Sequence, residues 1–192
     1  FTGGDAAEAI SDTFTGHDIT FNLTDNTVTA DNLITLTGRT KGSITIVPAD
    51  GDDSPDITGT ATALTTVFAS SQIGGLDASA VTITGGATVA QINSLSAQTT
   101  GVITATPSDG DMTTLAGLTE TTNAISISVT DASVDAAALI ALDAKTTGVV
   151  TLTGTTLTGT VADITTAFAA NTAGTVSGLT NINVTPDSGV TM

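Results

Sequence analysis

Aspartates gathered around glycine are the residues of this chain best suited to chemistry. "PADGDDSPD" (48–56) carries Asp50, Asp52, Asp53 and Asp56 close together, and "PSDGDM" (107–112) sets Asp109 and Asp111 on either side of a glycine. "PDSG" (186–189) adds Asp187 in a similar setting. Alternating carboxylates about a glycine can aim several oxygens at one point, and Ca²⁺ takes about six to eight such ligands. Asp50, Asp52, Asp53, Asp56, Asp109 and Asp111 are therefore the candidate Ca²⁺ ligands. Asp, Gly and Pro are equally the residues of ordinary turns. Neither a calcium loop closed by a terminal Glu nor a glycine-rich nonapeptide with Asp occurs. A calcium site and a solvated turn are two readings of the same corners.

Other chemistry has little to work with. His17 is the sole histidine and cysteine is absent, so a zinc site or a Ser-His-Asp hydrolase would have to be built on one imidazole at the entry of a strand. No "GxSxG", "GxxxxGK[ST]" or "GxGxxG" appears. A carboxylate pair for glycoside cleavage remains compatible with the counts, but the aromatic platforms that accompany sugar sites would have to come from five Phe, with no Trp or Tyr. Asn22 and Asn183 match the N-glycosylation tripeptide, a match that a Thr-rich chain produces readily. No catalytic residue and no enzymatic activity is expected.

The composition bounds the partners. Lys and Arg number 3 against 19 Asp and Glu, for a formal net charge of −16. Binding to a phosphate backbone needs clustered cations, so nucleic acid is excluded as a partner, and anionic membranes are disfavoured. The hydrophobic content of 40% is enough for a folded core. No apolar run reaches the roughly 18 residues of a membrane span. "FTGGDAAEAI" has neither the basic nor the apolar region of an export signal, so any such signal is expected to have been removed or to lie outside this sequence.

The elements that would position these aspartates recur. "LITLTGRTKGSITI" (33–46), "INSLSAQTTGVITA" (92–105) and "LIALDAKTTGVVTL" (139–152) align without a gap. In each, two apolar residues three apart (Leu33 and Leu36, Ile92 and Leu95, Leu139 and Leu142) mark one face of a helix. Gly42, Gly101 and Gly148 then fit a left-handed residue just past the helix end. Arg39 and Lys145 would offset the helix dipole in the last turn, where the middle copy has Gln98. Beyond each glycine the pattern alternates and is β-branched, as in a short strand. A second family pairs "GTATALTTVFASSQIGGLDASAVTIT" (59–84) with "GTVADITTAFAANTAGTVSGLTNINVT" (159–185), matching Leu64 to Ile164 and Phe68 to Phe168. Strands are expected near 17–23, 42–47, 79–84, 101–106, 124–130, 148–153 and 180–185.

Strand, helix, strand in that order favours parallel pairing with right-handed crossovers. Self-similar units select a stacked array over a doubly wound sheet, because each unit offers the same apolar face to its neighbour. The expected fold is an α/β repeat, a parallel β-α solenoid of leucine-rich-repeat-like coils with one short strand and one helix per unit. Its units would be 1–27, 28–54, 55–86, 87–110, 111–133, 134–156 and 157–192, in a single array.

The alternation of "LxxLDAKTTGVVTLTG" with "LTGTVADITTAFAANTAGTVSGLTNINVT" resembles the tandem Thr, Ala and Gly-rich repeats of very large secreted proteins of cyanobacteria and other marine bacteria. The resemblance covers most of 28–192 and is weakest at 107–123. It implies an extracellular, cell-surface protein of adhesin or matrix type, and it carries over no catalytic residue. The function expected is a non-enzymatic structural segment, a stalk, filament or surface-layer array. It would associate end to end or continue into further repeats. The alternatives are a calcium-assisted adhesin that binds glycan or another surface ligand, and a carbohydrate-active enzyme on a solenoid scaffold.

Overall fold

A computed structural model of the chain describes residues 17–49, 51 and 54–187. Its elements are β1 (Phe21–Leu23), β2 (Thr27–Thr29), α1 (Ala30–Thr37), β3 (Ile44–Ile46), β4 (Asp56–Gly59), α2 (Ala61–Phe68), β5 (Ile73–Gly74), β6 (Val81–Ala87), α3 (Val89–Ser96) and β7 (Ile103–Pro107). There follow α4 (Met112–Leu115), β8 (Ala124–Ile125), β9 (Ile127–Val129), β10 (Ser133–Asp135), α5 (Ala136–Asp143), β11 (Val150–Leu152), β12 (Thr156–Gly159), α6 (Val161–Ala173), β13 (Val176–Ser177) and β14 (Asn183–Pro186). The fold is α/β with parallel sheets and, among the described residues, six helices.

The chain divides into two compact units, 1–86 with 94–104, and 87–93 with 105–192. In the first, β1, β3 and β5 form one parallel ladder, pairing Phe21 with Ile44 and Ile44 with Ile73. A second ladder joins β2, β4 and β6, with Val28 opposite Ile57 and Ile57 opposite Val81. In the second unit β9, β11 and β13 pair in parallel, as do β10, β12 and β14. Ile127 stands opposite Val150 and Ser133 opposite Thr156, the same offset in both ladders.

Helix starts are written in the sequence. Thr29, Thr60, Thr160, Asp111 and Asp135 are N-caps whose side chains accept from a backbone N–H three residues on. Thr88 and Gln91 form a reciprocal capping box, with Thr88 N donating to Gln91 Oε1 at 2.9 Å and Gln91 N to Thr88 Oγ1 at 3.2 Å. The apolar pairs at helical spacing lie in the core as the pattern requires: Leu33, Leu36, Ile92, Leu95, Leu139 and Leu142 are all buried.

Three expectations need correction. The short strands come in pairs rather than singly: α1, α2, α3 and α6 each follow two strands. Segments such as Thr27–Thr29 and Ser133–Asp135 are too short to show an alternating pattern, so their strand state is set by pairing with a neighbour. Gly42, Gly101 and Gly148 do not have positive φ. The helices before them end at Thr37, Ser96 and Asp143, several residues earlier. Arg39 and Lys145 consequently lie beyond the last turn of α1 and α5, and the Lys145 ammonium donates instead to the carbonyl of Leu118 at 2.5 Å.

These glycines serve close approach. A Cβ on Gly42 would stand 2.3 Å from Ile19 O, on Gly101 2.1 Å from Ser79 O, and on Gly148 2.4 Å from Ile125 O. Two residues before each, a threonine reaches the same carbonyl. The hydroxyl oxygens of Thr40, Thr99 and Thr146 lie 2.6, 2.6 and 2.7 Å from Ile19 O, Ser79 O and Ile125 O. Each also accepts from the N–H of its glycine, at 2.9, 3.0 and 2.9 Å. The tripeptide Thr-x-Gly thus ties one segment of chain to another about twenty residues earlier by a hydroxyl bridge that needs a side-chain-free neighbour.

Candidate functional site

The acidic corners were the strongest chemical candidates, and the structure gives two of their side chains definite work. Asp109 Oδ2 accepts the backbone N–H of Val89, the first residue of α3, at 2.7 Å. Asp111 is the N-cap of α4, its Oδ1 accepting from Thr114 N at 2.8 Å. Hydrogen bonds from the backbone N–H and the side chain of Thr114 hold the Asp111 carboxyl below its ordinary value of 3.8. Both carboxylates therefore sit at the positive ends of helices.

Asp56 opens β4, exposed, in register with Thr27. Asp50, Asp52 and Asp53 lie outside the described residues. Asp187 is exposed, and its backbone N–H donates to Gly159 O at 2.9 Å. Among the described residues no three His, Asp or Glu side chains are grouped so as to hold a metal ion. His17 is exposed and enters the structure through its backbone, bridging to Thr40 and accepting from Lys41 N at 2.9 Å.

One residue of this constellation escaped the sequence reading. Asp131 Oδ2 accepts the N–H of Met112, the first residue of α4, at 2.7 Å. It does for α4 what Asp109 does for α3: a carboxylate from about twenty residues downstream caps the first turn. The recurrence of Asp at 109 and 131, each before a helix-starting segment, was the available signal. Neither aspartate adjoins in sequence the helix it serves, so local motif reading passes over both.

An apolar hollow of about 320 Å³ lies beside α4 and α5, lined by Met112, Thr113, Ala116, Ala138, Ala141, Leu142 and Lys145. There α4, a single turn of four residues, lies beside the eight-residue α5. Its polar members are Thr113 and Lys145, and the lysine is engaged with Leu118 O. The lining holds one hydroxyl, that of Thr113, and no carboxylate.

Outward strand positions carry hydroxyls. Thr29, Thr58 and Thr82 stand in register across β2, β4 and β6, while Ser128, Thr151 and Ser177 do so across β9, β11 and β13. Ser177 Oγ donates to Thr151 Oγ1 at 3.0 Å, a cross-strand pair of the kind that stabilises a sheet face. Among the described residues no helix is long and apolar enough to cross a membrane. Comparison of the chain with protein-family models, with characterised proteins and with solved structures gives no match.

Proposed function

We propose that this chain is a non-enzymatic structural segment, a parallel β-α solenoid whose stacked coils form part of a stalk, filament or surface-layer array outside the cell. The observation that carries the reading is the register of the second unit. Ile127 faces Val150 in one ladder and Ser133 faces Thr156 in the other, both across 23 positions, so strands and helix advance together as one coil. The polar groups of the conspicuous residues support the same reading. Thr40, Thr99 and Thr146 bridge to earlier backbone, and Asp109 and Asp131 cap helices about twenty residues away, so these side chains are occupied in holding coil to coil. A high negative charge with hydroxyl-bearing sheet faces keeps such an array soluble.

Deleting one coil tests it. Removal of residues 127–149 places Val150 where Ile127 stood and leaves both ladders in register. A stack of near-equivalent coils folds after this loss, with a lower Tm and far-UV circular dichroism reduced in proportion to length. A domain with one central core would not survive it, and an unfolded product would overturn the reading.

A further inference from the structure

The hollow beside α4 and α5 is walled on one side by a single stripe. Ala138, Ala141, Leu142 and Lys145 follow at the spacing of one helix face, i, i+3, i+4 and i+7, and all four line it. Met112 and Ala116 stand across from them, at the start of α4 and just past its end at Leu115. Ala116, Ala138 and Ala141 are exposed, so the apolar lining is open to solvent. Every lining residue belongs to the second unit, with described chain continuing well before and after. The local charge is opposite to that of the whole chain. From 19 acidic and 3 basic residues the lining takes one ammonium and no carboxylate. Lys145 gives one of its three N–H donors to Leu118 O and has no carboxylate partner among the described residues.

We propose that this hollow is a binding site for a small amphiphilic carboxylate, with its hydrocarbon body on Met112, Ala116, Ala138 and Ala141 and its carboxylate on the Lys145 ammonium. Size sets the class of ligand. At about 320 Å³ the hollow lies near the lower end of the range of ligand pockets, about 300–1,000 Å³, and takes a short acyl chain or a single ring. Met112, unbranched and polarisable, adapts its shape to either. Charge selects the head group. The two remaining N–H donors of Lys145 suit a carboxylate, and a hydrogen bond between two ions is about twice as strong as one between neutral groups. An alcohol with the same body lacks that gain, and an amine meets a like charge. The assignment stands apart from the stacked-coil reading, since it uses only residues on and next to α4 and α5.

Titration of the 192-residue chain with sodium octanoate, followed by amide NMR shifts at constant ionic strength over roughly 0.5 to 50 mM, is the test. Saturable shifts are expected at residues 112–118 and 138–147, with a Kd on the order of 1–10 mM. Octylammonium should produce no saturable shifts there, and Lys145→Gln should weaken octanoate binding about tenfold or more. If Lys145→Gln disturbs folding through the lost bond to Leu118, Ala141→Leu decides, because it fills the hollow from an exposed helix position and should weaken binding to the same degree. Ala137→Leu, exposed on α5 but outside the lining, should bind as the wild type does. Absence of saturable shifts in the wild type would overturn the proposal. So would octylammonium binding as tightly as octanoate, or Ala141→Leu binding as the wild type does.

Discussion

The hydroxyl oxygen of Thr146 lies 2.7 Å from the carbonyl oxygen of Ile125, 21 residues earlier, and accepts the N–H of the same residue at 2.8 Å. One side chain thereby satisfies both backbone groups of a residue in another part of the chain. Replacing it by the isosteric valine leaves those groups without their partner. Thr146→Val should cost about 1–3 kcal/mol and Thr146→Ser much less, as measured by urea denaturation. A larger loss for Thr146→Ser than for Thr146→Val would show that packing of the methyl group, and not the hydroxyl bridge, is what matters.

The glycine two residues later is constrained by space. Gly148→Ala places a methyl group 2.4 Å from Ile125 O, against backbone that cannot yield locally. A loss of about 1–3 kcal/mol is expected. Gly174→Ala is the informative contrast, since Gly174 has φ of 86° and open space around its Cβ position. Its cost should be confined to about 1 kcal/mol of backbone strain.

Asp109 caps a helix that precedes it by about twenty residues. Asp109→Ala should lower stability by about 1 kcal/mol, and Asp109→Asn, which keeps an acceptor oxygen, by less. Hydrogen exchange offers the sharper readout: amides of the first turn of α3 should exchange faster in Asp109→Ala, while those of α1 and α5 stay unchanged. Uniform acceleration through all the helices would refute a local capping role.

Asp111 gives a pH dependence whose sign follows from its lowered carboxyl. Its folded value lies below 3.8, so the unfolded chain takes up the proton first as pH falls. The stabilisation is complete above the unfolded value and is lost as pH drops through the folded one. Asp111→Asn should therefore narrow the gap in urea midpoint between about pH 6 and pH 2 relative to wild type. An unchanged gap would mean that this carboxylate caps no better charged than neutral.

Periodicity alone located the apolar pairs of α1, α3 and α5, because a helix that must bury one face repeats its apolar residues at a spacing visible in the letters. The strands following Thr-x-Gly were legible for a related reason, as β-branched runs such as "SITI" and "VVTL" prefer a pleated surface. The candidate site was legible only as a pattern. Asp109 and Asp111 stood out by spacing, but a carboxylate near a turn reads the same whether it faces solvent, a cation or a helix start. Their hydrogen bonds to Val89 N and Thr114 N make both of them caps.

The amino-acid sequence by itself determined the apolar faces of α1, α3 and α5 and the β-branched strands that follow Thr-x-Gly, properties of neighbouring residues within one or two turns. Tertiary structure decided what the glycines and carboxylates are for. Taken locally, Gly42, Gly101 and Gly148 fit left-handed helix ends, since a window of sequence offers glycine only its backbone freedom. In the fold they are the positions where two backbones come within reach of one hydroxyl. Such a contact joins residues about twenty apart and depends on both segments being in place, which no window of sequence contains.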